Sequence, residues 1–397
     1  MSDVVIVGAG LSGLVSALHL LDMEVTSAAS ITVLDGRKRV GGRLLAHQGV
    51  DVGGAWCWTS SHHDTPVLAD RFGVTTFEQY DDGLNVVDYG DSTTRTKQSF
   101  DSAKVRFEGG AAAIAVAIAD HVREKGVNVL LDCTVNRIST EHGGGVVVEG
   151  VLAGAPTSWT AKAVFLAIPP RLILPPLISW EPSLPPALAT TAKATPTWMA
   201  NTTKVLVTYS RPFWRELGMS GNAMSYGGGP IAQLYDSCGP EHGSSKGPYA
   251  LCGFIFGGAG ANDALPDDET LRLQLLDQLE RLFGPEAKSF TAFSFHRWGD
   301  QPLTSGNGGG EGGGHESMGH RELRNPFGSS AAGGPPRVWL SATETSASYA
   351  GLMEGAVLSG RRVVEEAIRQ GAFSGQEIGG AEGACRNATS AESGSPS

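Results

Sequence analysis

The sequence predicts an α/β fold of two domains, the larger built on a parallel sheet covered by helices and the smaller on a mixed sheet. Three observations carry this expectation. The apolar run Val4-Val5-Ile6-Val7 leads straight into Gly8-Ala9-Gly10-Leu11-Ser12-Gly13. A second glycine cluster, Gly41-Gly42-Arg43, is followed by Asp51-Val52-Gly53-Gly54-Ala55-Trp56. The chain has 397 residues, more than one compact core usually takes.

Taken in order, residues 3–8 read as a buried strand and 11–22 as a helix with Leu14, Ala17, Leu18 and Leu21 on one face. Ile31–Leu34 is a second buried strand ending at Asp35, which completes a βαβ unit and calls for a parallel sheet. Residues 111–124 read as a helix. Val127–Leu131 and Val146–Val151 read as strands, the second entered through Gly143-Gly144-Gly145. Ala163–Ile168 is another buried strand, stopped by Pro169-Pro170 because proline cannot continue a ladder. Lys204–Tyr209 alternates as a half-buried strand does. Thr270–Leu282 is an amphipathic helix with Leu271, Leu275, Leu279 and Leu282 in line. Val338–Leu340 reads as a strand, and 351–369 contains a helix. The glycine-rich stretches at 305–314 and 328–336 read as a surface excursion, and the Gly/Ser/Ala-rich tail 372–397 as disordered.

A net charge of −11 argues against nucleic acid and anionic membrane as partners. The five cysteines are widely spaced and form no CxxC pair, so neither a disulfide framework nor a metal site is expected. The first strand starts within four residues of Met1, leaving no room for a signal peptide, and no apolar run suits a membrane anchor. The expected location is cytoplasmic. The oligomeric state stays open, a homodimer included.

Gly8, Gly10 and Gly13 stand between strand and helix, where a dinucleotide fingerprint belongs. The first glycine makes the tight turn, the second admits a pyrophosphate, and the third lets helix pack on strand. The helix N-terminus favours the phosphate charge. Asp35, at the end of the second strand, is placed to accept hydrogen bonds from the adenosine ribose. This much does not separate NAD from FAD. The later clusters at Gly41-Gly42 and Gly53-Gly54 mark two more close backbone approaches, which an NAD site does not need.

At this point the sequence resembles the flavin-dependent amine oxidases, the family of monoamine and polyamine oxidases. The matching segments are Val4–Leu14, Val33–Leu44, Asp51–Trp56 and Val338–Arg362, with weaker matches at Gly109-Gly110, Val135, Ala167–Pro170 and Tyr209–Gly221. The resemblance implies a Rossmann-like FAD-binding domain from residues 1–75, 106–188 and 330–371. A reduced substrate domain would take 76–105 and 189–329. It implies that Gly8, Gly10, Leu11, Ser12, Gly13, Asp35, Gly36, Arg37 and Gly41 bind the cofactor. Gly42 and Arg43 would line the pyrophosphate, and the Val135 backbone would meet the adenine. Gly53, Gly54, Ala55 and Trp56 would pass under the flavin ring. Thr343 and Glu344 would reach the ribityl–phosphate region, and Gly351, Leu352, Met353 and Ala356 the ring itself, where a helix N-terminus stabilises negative charge.

The resemblance also implies two catalytic residues. Lys204, nine residues before Phe213-Trp214, matches the lysine that holds a water against the flavin, and Trp298 matches a tryptophan beside the ring. Departures are equally specific. A cysteine that binds flavin covalently in some relatives is replaced by Asn307, so FAD is expected to bind non-covalently. The substrate-cage aromatics fall near Gly308 and Leu352, with Tyr349 as a stand-in, and a family glycine is Ala342. The span from Trp58 to Gly109 is short, which implies a small cap.

The expected reaction is oxidation of an amine to an imine, with O2 taking the electrons to give hydrogen peroxide. The flavin supplies the chemistry and the protein supplies placement and a dry cavity. A neutral amine needs no general base, so none is assigned, and His62, His63 and His296 are expected to be structural or solvated. Two rivals stand beside this reading. One is another flavin oxidoreductase of the same fold, such as an L-amino-acid oxidase, a renalase-like enzyme or a desaturase. The other is a flavin-binding protein that serves a partner rather than a reaction.

Overall fold

The computed structural model describes residues 2–99, 103–140, 145–240, 249–256, 265–306, 318–328 and 334–373. Two sheets organise them. The first has eight strands, in the order Ser179–Glu181, Cys133–Thr140, Val146–Leu152, Ala155–Leu166, Ser2–Val7, Ile31–Leu34 and Asn128–Leu130, with Val338–Leu340 also paired to Ala155–Leu166. Its centre is parallel: Val4 lies opposite both Ile31 and Ala163, and Val164 opposite Val338.

Alternate residues of the first strand enter separate cores. Val4 and Ile6 join the helices Leu11–Asp22, Ala112–Glu124 and Met353–Arg369, while Val5 and Val7 join a second core with Leu34, Ile138 and Leu340. Both faces of the strand are therefore covered, which is why it reads as an unbroken apolar run. The strand expected at Ala163–Ile168 is longer, Ala155–Leu166. Its polar first half pairs antiparallel with Val146–Leu152, and only its apolar second half lies at the centre of the sheet.

The second sheet has seven strands: Ala292–Arg297, Thr202–Tyr209, Tyr249–Phe256, Gln233–Asp236, Met219–Ser225, Leu84–Asp88 and Thr93–Thr96. The helix Asp268–Phe283 lays Leu271, Leu275, Leu279 and Leu282 on it, against Val205, Val207 and Leu251. This helix starts two residues before the expected position because Asp267 caps it, accepting from the amides of Glu269 and Thr270 at 3.1 and 3.0 Å. Thr202–Tyr209 is buried at all eight positions rather than on one face. Val205 and Val207 meet the helix, while Leu206 packs on Val50 and Val52.

Ala372 and Phe373, placed in the tail by the sequence, are buried in the core beside the last helix. The remainder of the expected tail, and most of the glycine stretch at 305–314, lie outside the described residues, as do Asn307 and Gly308. Among the described residues no helix is long and apolar enough to cross a membrane.

Candidate active site

A cavity of about 650 Å³ runs between the two sheets, from Gly8 and Asp35 at one end to Tyr235, Phe254 and Phe256 at the other. The three glycines after the first strand are required for different reasons. Gly8 has φ +109° and sits against the Ala167 carbonyl. A Cβ on Gly13 would lie 1.9 Å from the Gly8 oxygen, so only glycine lets helix and strand close. Gly10 is the contrast: a Cβ there would meet nothing nearer than the Gly42 Cα at 4.0 Å, and it faces the cavity. The protein's own packing would accept a side chain at Gly10. It is also the N-cap of the helix Leu11–Asp22, and no side chain caps it.

Asp35 Oδ2 accepts from the Ala9 amide and Oδ1 from the Arg37 amide, both at 2.8 Å. The Arg37 side chain donates to the Leu303 carbonyl and Thr304 Oγ1, which brings the turn Pro302–Ser305 over this end of the cavity. Gly41 donates to the Ala9 carbonyl at 2.8 Å, so the second glycine cluster is stitched to the first. Leu11, Gly42, Arg43, Gly53, Gly54, Ala55, Trp56, Thr343, Gly351, Leu352, Met353 and Ala356, all singled out by the sequence, also line the cavity. Ser12, Gly13, Gly36, Val135, Glu344 and Tyr349 do not. Ser12 and Gly13 are buried in the first turn of the helix Leu11–Asp22, and Gly36 packs on Leu303. Glu344 is sealed from solvent and holds Arg43 in two hydrogen bonds, of 2.6 and 3.0 Å. Tyr349 has φ +57° and stacks edge-on with His62.

Trp198, not Tyr349, lines the cavity near Gly351. A Cβ on Gly351 would touch the Trp198 ring at 2.7 Å, so this glycine lets the tryptophan lie against the chain. Trp198 lines the cavity together with Trp58, Tyr235 and Phe254, none of which the sequence singles out.

Lys204 is 4% exposed. Its Nζ donates to the Gly53 carbonyl at 2.9 Å and lies 4.6 Å from the Phe254 ring centre and 5.1 Å from that of Trp56. The aromatic faces and the carbonyl offset the loss of water around the ammonium. Trp298 Nε1 donates to the neighbouring Val52 carbonyl at 2.9 Å. The two predicted catalytic side chains thus hang from consecutive carbonyls of one segment. A second buried lysine, Lys104, places Nζ 4.4 Å from the Tyr235 ring centre and 4.9 Å from that of Trp56. Nothing in the sequence around Lys104 signals this position.

The histidines are peripheral. His296 packs 4.4 Å from Trp298, and burial, aided by repulsion from His47, Arg39 and Arg37, lowers its pKa to about 4. Cys57, His62 and Glu354 gather their ligand atoms within 4.8 Å of one another. Glu354 is nevertheless saturated by the amides of His63, Asp64 and Thr65 and the Thr65 hydroxyl, all at 2.8 Å. Burial and the Glu354 charge push the Cys57 thiol up to about 12, so it is held protonated beside Glu354.

The sequence profile of the flavin containing amine oxidoreductases matches residues 11–106 and 95–368. This chain belongs to that family. A Mycobacterium tuberculosis protein assigned as a flavin-containing monoamine oxidase is 34% identical over 263 residues, 66% of this chain and 52% of its own length. Putrescine oxidase of Kocuria rosea is 29% identical over 283 residues, 68% of this chain and 54% of its own. The chain spans about half the length of the curated relatives it matches. Among solved structures, cyclohexylamine oxidase from Brevibacterium oxydans superposes with a TM-score of 0.73 at 21% identity, covering 93% of this chain and 99% of that one, and shares its fold.

The family is flavin-containing, and the residues here fit a flavin. Gly10 keeps open a space that the protein does not fill, beside an uncapped helix N-terminus suited to phosphate.

Proposed function

We propose that this chain is an FAD-dependent amine oxidase that converts a small amine to its imine and passes the electrons to O2, giving hydrogen peroxide. The observation that carries the reading is Lys204, buried among aromatic rings at the Gly53 carbonyl, in the same cavity as the glycine cradle. When bound, the flavin would supply the two-electron oxidation of the substrate's C–N bond.

The chain's own residues bind, orient and exclude water. Gly8, Gly10 and the N-terminus of Leu11–Asp22 would take the pyrophosphate, with Arg43 held ready by Glu344. Asp35 would take the ribose. Gly53, Gly54, Ala55 and Trp56 would underlie the ring, with Leu352, Met353 and Ala356 on the helix side. Trp58, Trp198, Tyr235 and Phe254 make an apolar chamber that keeps the amine dry. Among the described residues lining the cavity, Asp35 is the one carboxylate, and both its oxygens accept from backbone amides. This supports a neutral amine reacting without a carboxylate base. None of the described lining residues is a cysteine, which supports non-covalent FAD.

The test is the absorbance of the purified protein before and after anaerobic addition of a panel of amines, followed by aeration with peroxide detection. Bleaching by an amine, with peroxide on aeration and with FAD released into the supernatant on denaturation, is expected. A protein that takes up no FAD would overturn the reading, and a yellow protein that no amine bleaches would leave flavin binding without amine oxidation.

A further inference from the structure

Asp51 is a buried carboxyl that the proposed chemistry does not use. It is 2% exposed. Its Oδ1 accepts from the Ala111 amide at 2.9 Å, at the N-cap of the helix Ala112–Glu124, and its Oδ2 has no hydrogen-bond partner although it is sealed from solvent. The approach is built in. Gly110 has φ +86°, and a Cβ there would lie 2.8 Å from Oδ1.

Two cations act on this carboxyl, Lys204 from the strand Thr202–Tyr209 and Arg106 from the strand Val105–Phe107. Both spend hydrogen bonds on uncharged acceptors: Lys204 on the Gly53 carbonyl, Arg106 on the carbonyls of Cys238 and Ser237. The third neighbour, Cys252 on the strand Tyr249–Phe256, points its thiol at the Asp51 carbonyl oxygen at 3.6 Å, and burial raises its pKa. The next two residues after Asp51 supply the carbonyls that hold Trp298 and Lys204.

We propose that Asp51 is a positioning residue of the amine-oxidation site, a buried counter-charge that fixes Lys204 and the Val52–Gly53 carbonyls against the helix Ala112–Glu124. It acts through Lys204 and does not touch the substrate. The inference rests on the amine-oxidase reading for its kinetic part only. An uncompensated cation pair behind the flavin site would loosen the segment from which Lys204 and Trp298 hang, whereas the ionised carboxyl ties them to the helix N-terminus.

Burial raises the Asp51 carboxyl to about 6, against the pull of Arg106, Lys204 and the Ala111 amide. The folded protein therefore holds an extra proton between about pH 4 and 6, and stability falls as pH rises through that window. A buried charge kept at neutral pH at the expense of stability is the pattern of a functional rather than a structural group.

The test compares wild type, Asp51→Asn, Lys204→Met and the double variant. In melting scans from pH 4 to 8, the D51N protein should gain on wild type by a few degrees as pH rises from about 4 to 6 and hold that gain above it, because it has no proton to lose. In anaerobic rapid mixing with the best amine of the panel, D51N should slow flavin bleaching about tenfold at pH 7.5 and lose the inflection near pH 6. In the Lys204→Met background the same change should have no further effect. Parallel melting curves for wild type and D51N would overturn the ionisation. A D51N protein that melts below wild type at every pH would mean that Asp51 is only a helix cap. An undiminished D51N effect without Lys204 would overturn the route. If D51N does not fold, the melting scan of Lys204→Met decides: the fall in stability must end at lower pH in wild type than in that variant, which lacks the cation that holds the carboxyl down. If no amine bleaches wild type, the amine-oxidase reading fails and the melting scans still decide the charge on Asp51.

Discussion

Arg43 and Glu344 lie 301 positions apart and meet in two hydrogen bonds of 2.6 and 3.0 Å, with the carboxylate wholly buried. The pairing matches the planar fork of a guanidinium to a carboxylate and leaves other Arg43 donors for the cavity it lines. It joins the Gly41-Gly42-Arg43 turn to the segment that leads into the last helix. Glu344, expected from family resemblance to reach the ribityl–phosphate region, does not line the cavity but holds Arg43, which does.

Removing Glu344 should therefore act on flavin retention through Arg43. Glu344→Ala leaves a half-exposed cation without its partner, and a loss of about 2–3 kcal/mol is expected, below the full value for a buried pair because Arg43 keeps some contact with water. Flavin affinity should drop at least tenfold by the arithmetic of about 1.4 kcal/mol per decade. Equilibrium unfolding and flavin titration of the apoprotein measure both quantities. Unchanged flavin affinity would show that Arg43 is placed by its own turn.

The two glycines of the fingerprint should separate folding from binding. Gly10→Ala adds a methyl whose nearest protein atom is the Gly42 Cα at 4.0 Å, an unstrained contact, so the fold should hold to within about 1 kcal/mol while flavin uptake is lost or strongly weakened. Gly13→Ala puts the same methyl 1.9 Å from the Gly8 oxygen, and overpacking of this kind costs about 1–3 kcal/mol or more. Melting temperature and flavin content of the two proteins give the comparison. A Gly10→Ala protein that retains flavin normally would mean that nothing lies over Gly10.

How much of this could be read beforehand depended on locality. The βαβ unit and its glycines were legible because each is a local conformational demand: a positive φ at Gly8, a closed helix–strand gap at Gly13, an apolar run with both faces covered. Lys204 was legible only by its spacing to Phe213-Trp214. The strand around it reads as half-exposed because its polar face turns into a cavity, which an alternation pattern cannot tell from water. Trp58, Trp198, Tyr235 and Phe254 come from four separate segments and converge only through long-range pairing, such as Gln233 opposite Phe254. The partner of Glu344 is Arg43, 301 positions away, a pairing that no local spacing signals. The cap at Asp267 is local and readable, an Asp three residues before Thr270 at the start of a leucine stripe.

Cysteine reactivity gives a further check. Burial raises the thiols of Cys57, Cys133 and Cys238 to about 12, 11 and 12, and that of Cys252 as well. All four are buried. The attacking species is the thiolate, so brief treatment of the native protein with iodoacetamide at pH 8 should leave these four unlabelled, and labelling should appear only with denaturant. Peptide mass spectrometry reads each site. Rapid native labelling at Cys57 would contradict the closed Cys57–His62–Glu354 cluster.

Glu354 gives the clearest dependence on pH. It begins the last helix, yet its four hydrogen bonds run to another element, the amides of His63, Asp64 and Thr65 and the Thr65 hydroxyl at the start of the helix Asp64–Arg71. The carboxylate thus caps a neighbouring helix and ties it to the last one, and both helix N-termini favour its charge. Burial alone would raise its pKa, but the hydrogen bonds from Asp64, Thr65 and His63 outweigh it and the value falls below the ordinary glutamate range. A depressed carboxylate contributes stability that is complete above its unfolded pKa and is lost as pH falls through the folded one. Glu354→Gln keeps the shape and removes the charge, so it should cost about 1–3 kcal/mol at pH 7 and progressively less as pH falls through and below the ordinary glutamate range. Urea unfolding at pH 7 and pH 3.5 tests both halves of the statement. An equal loss at the two pH values would show that the charge on Glu354 contributes nothing beyond its hydrogen bonds.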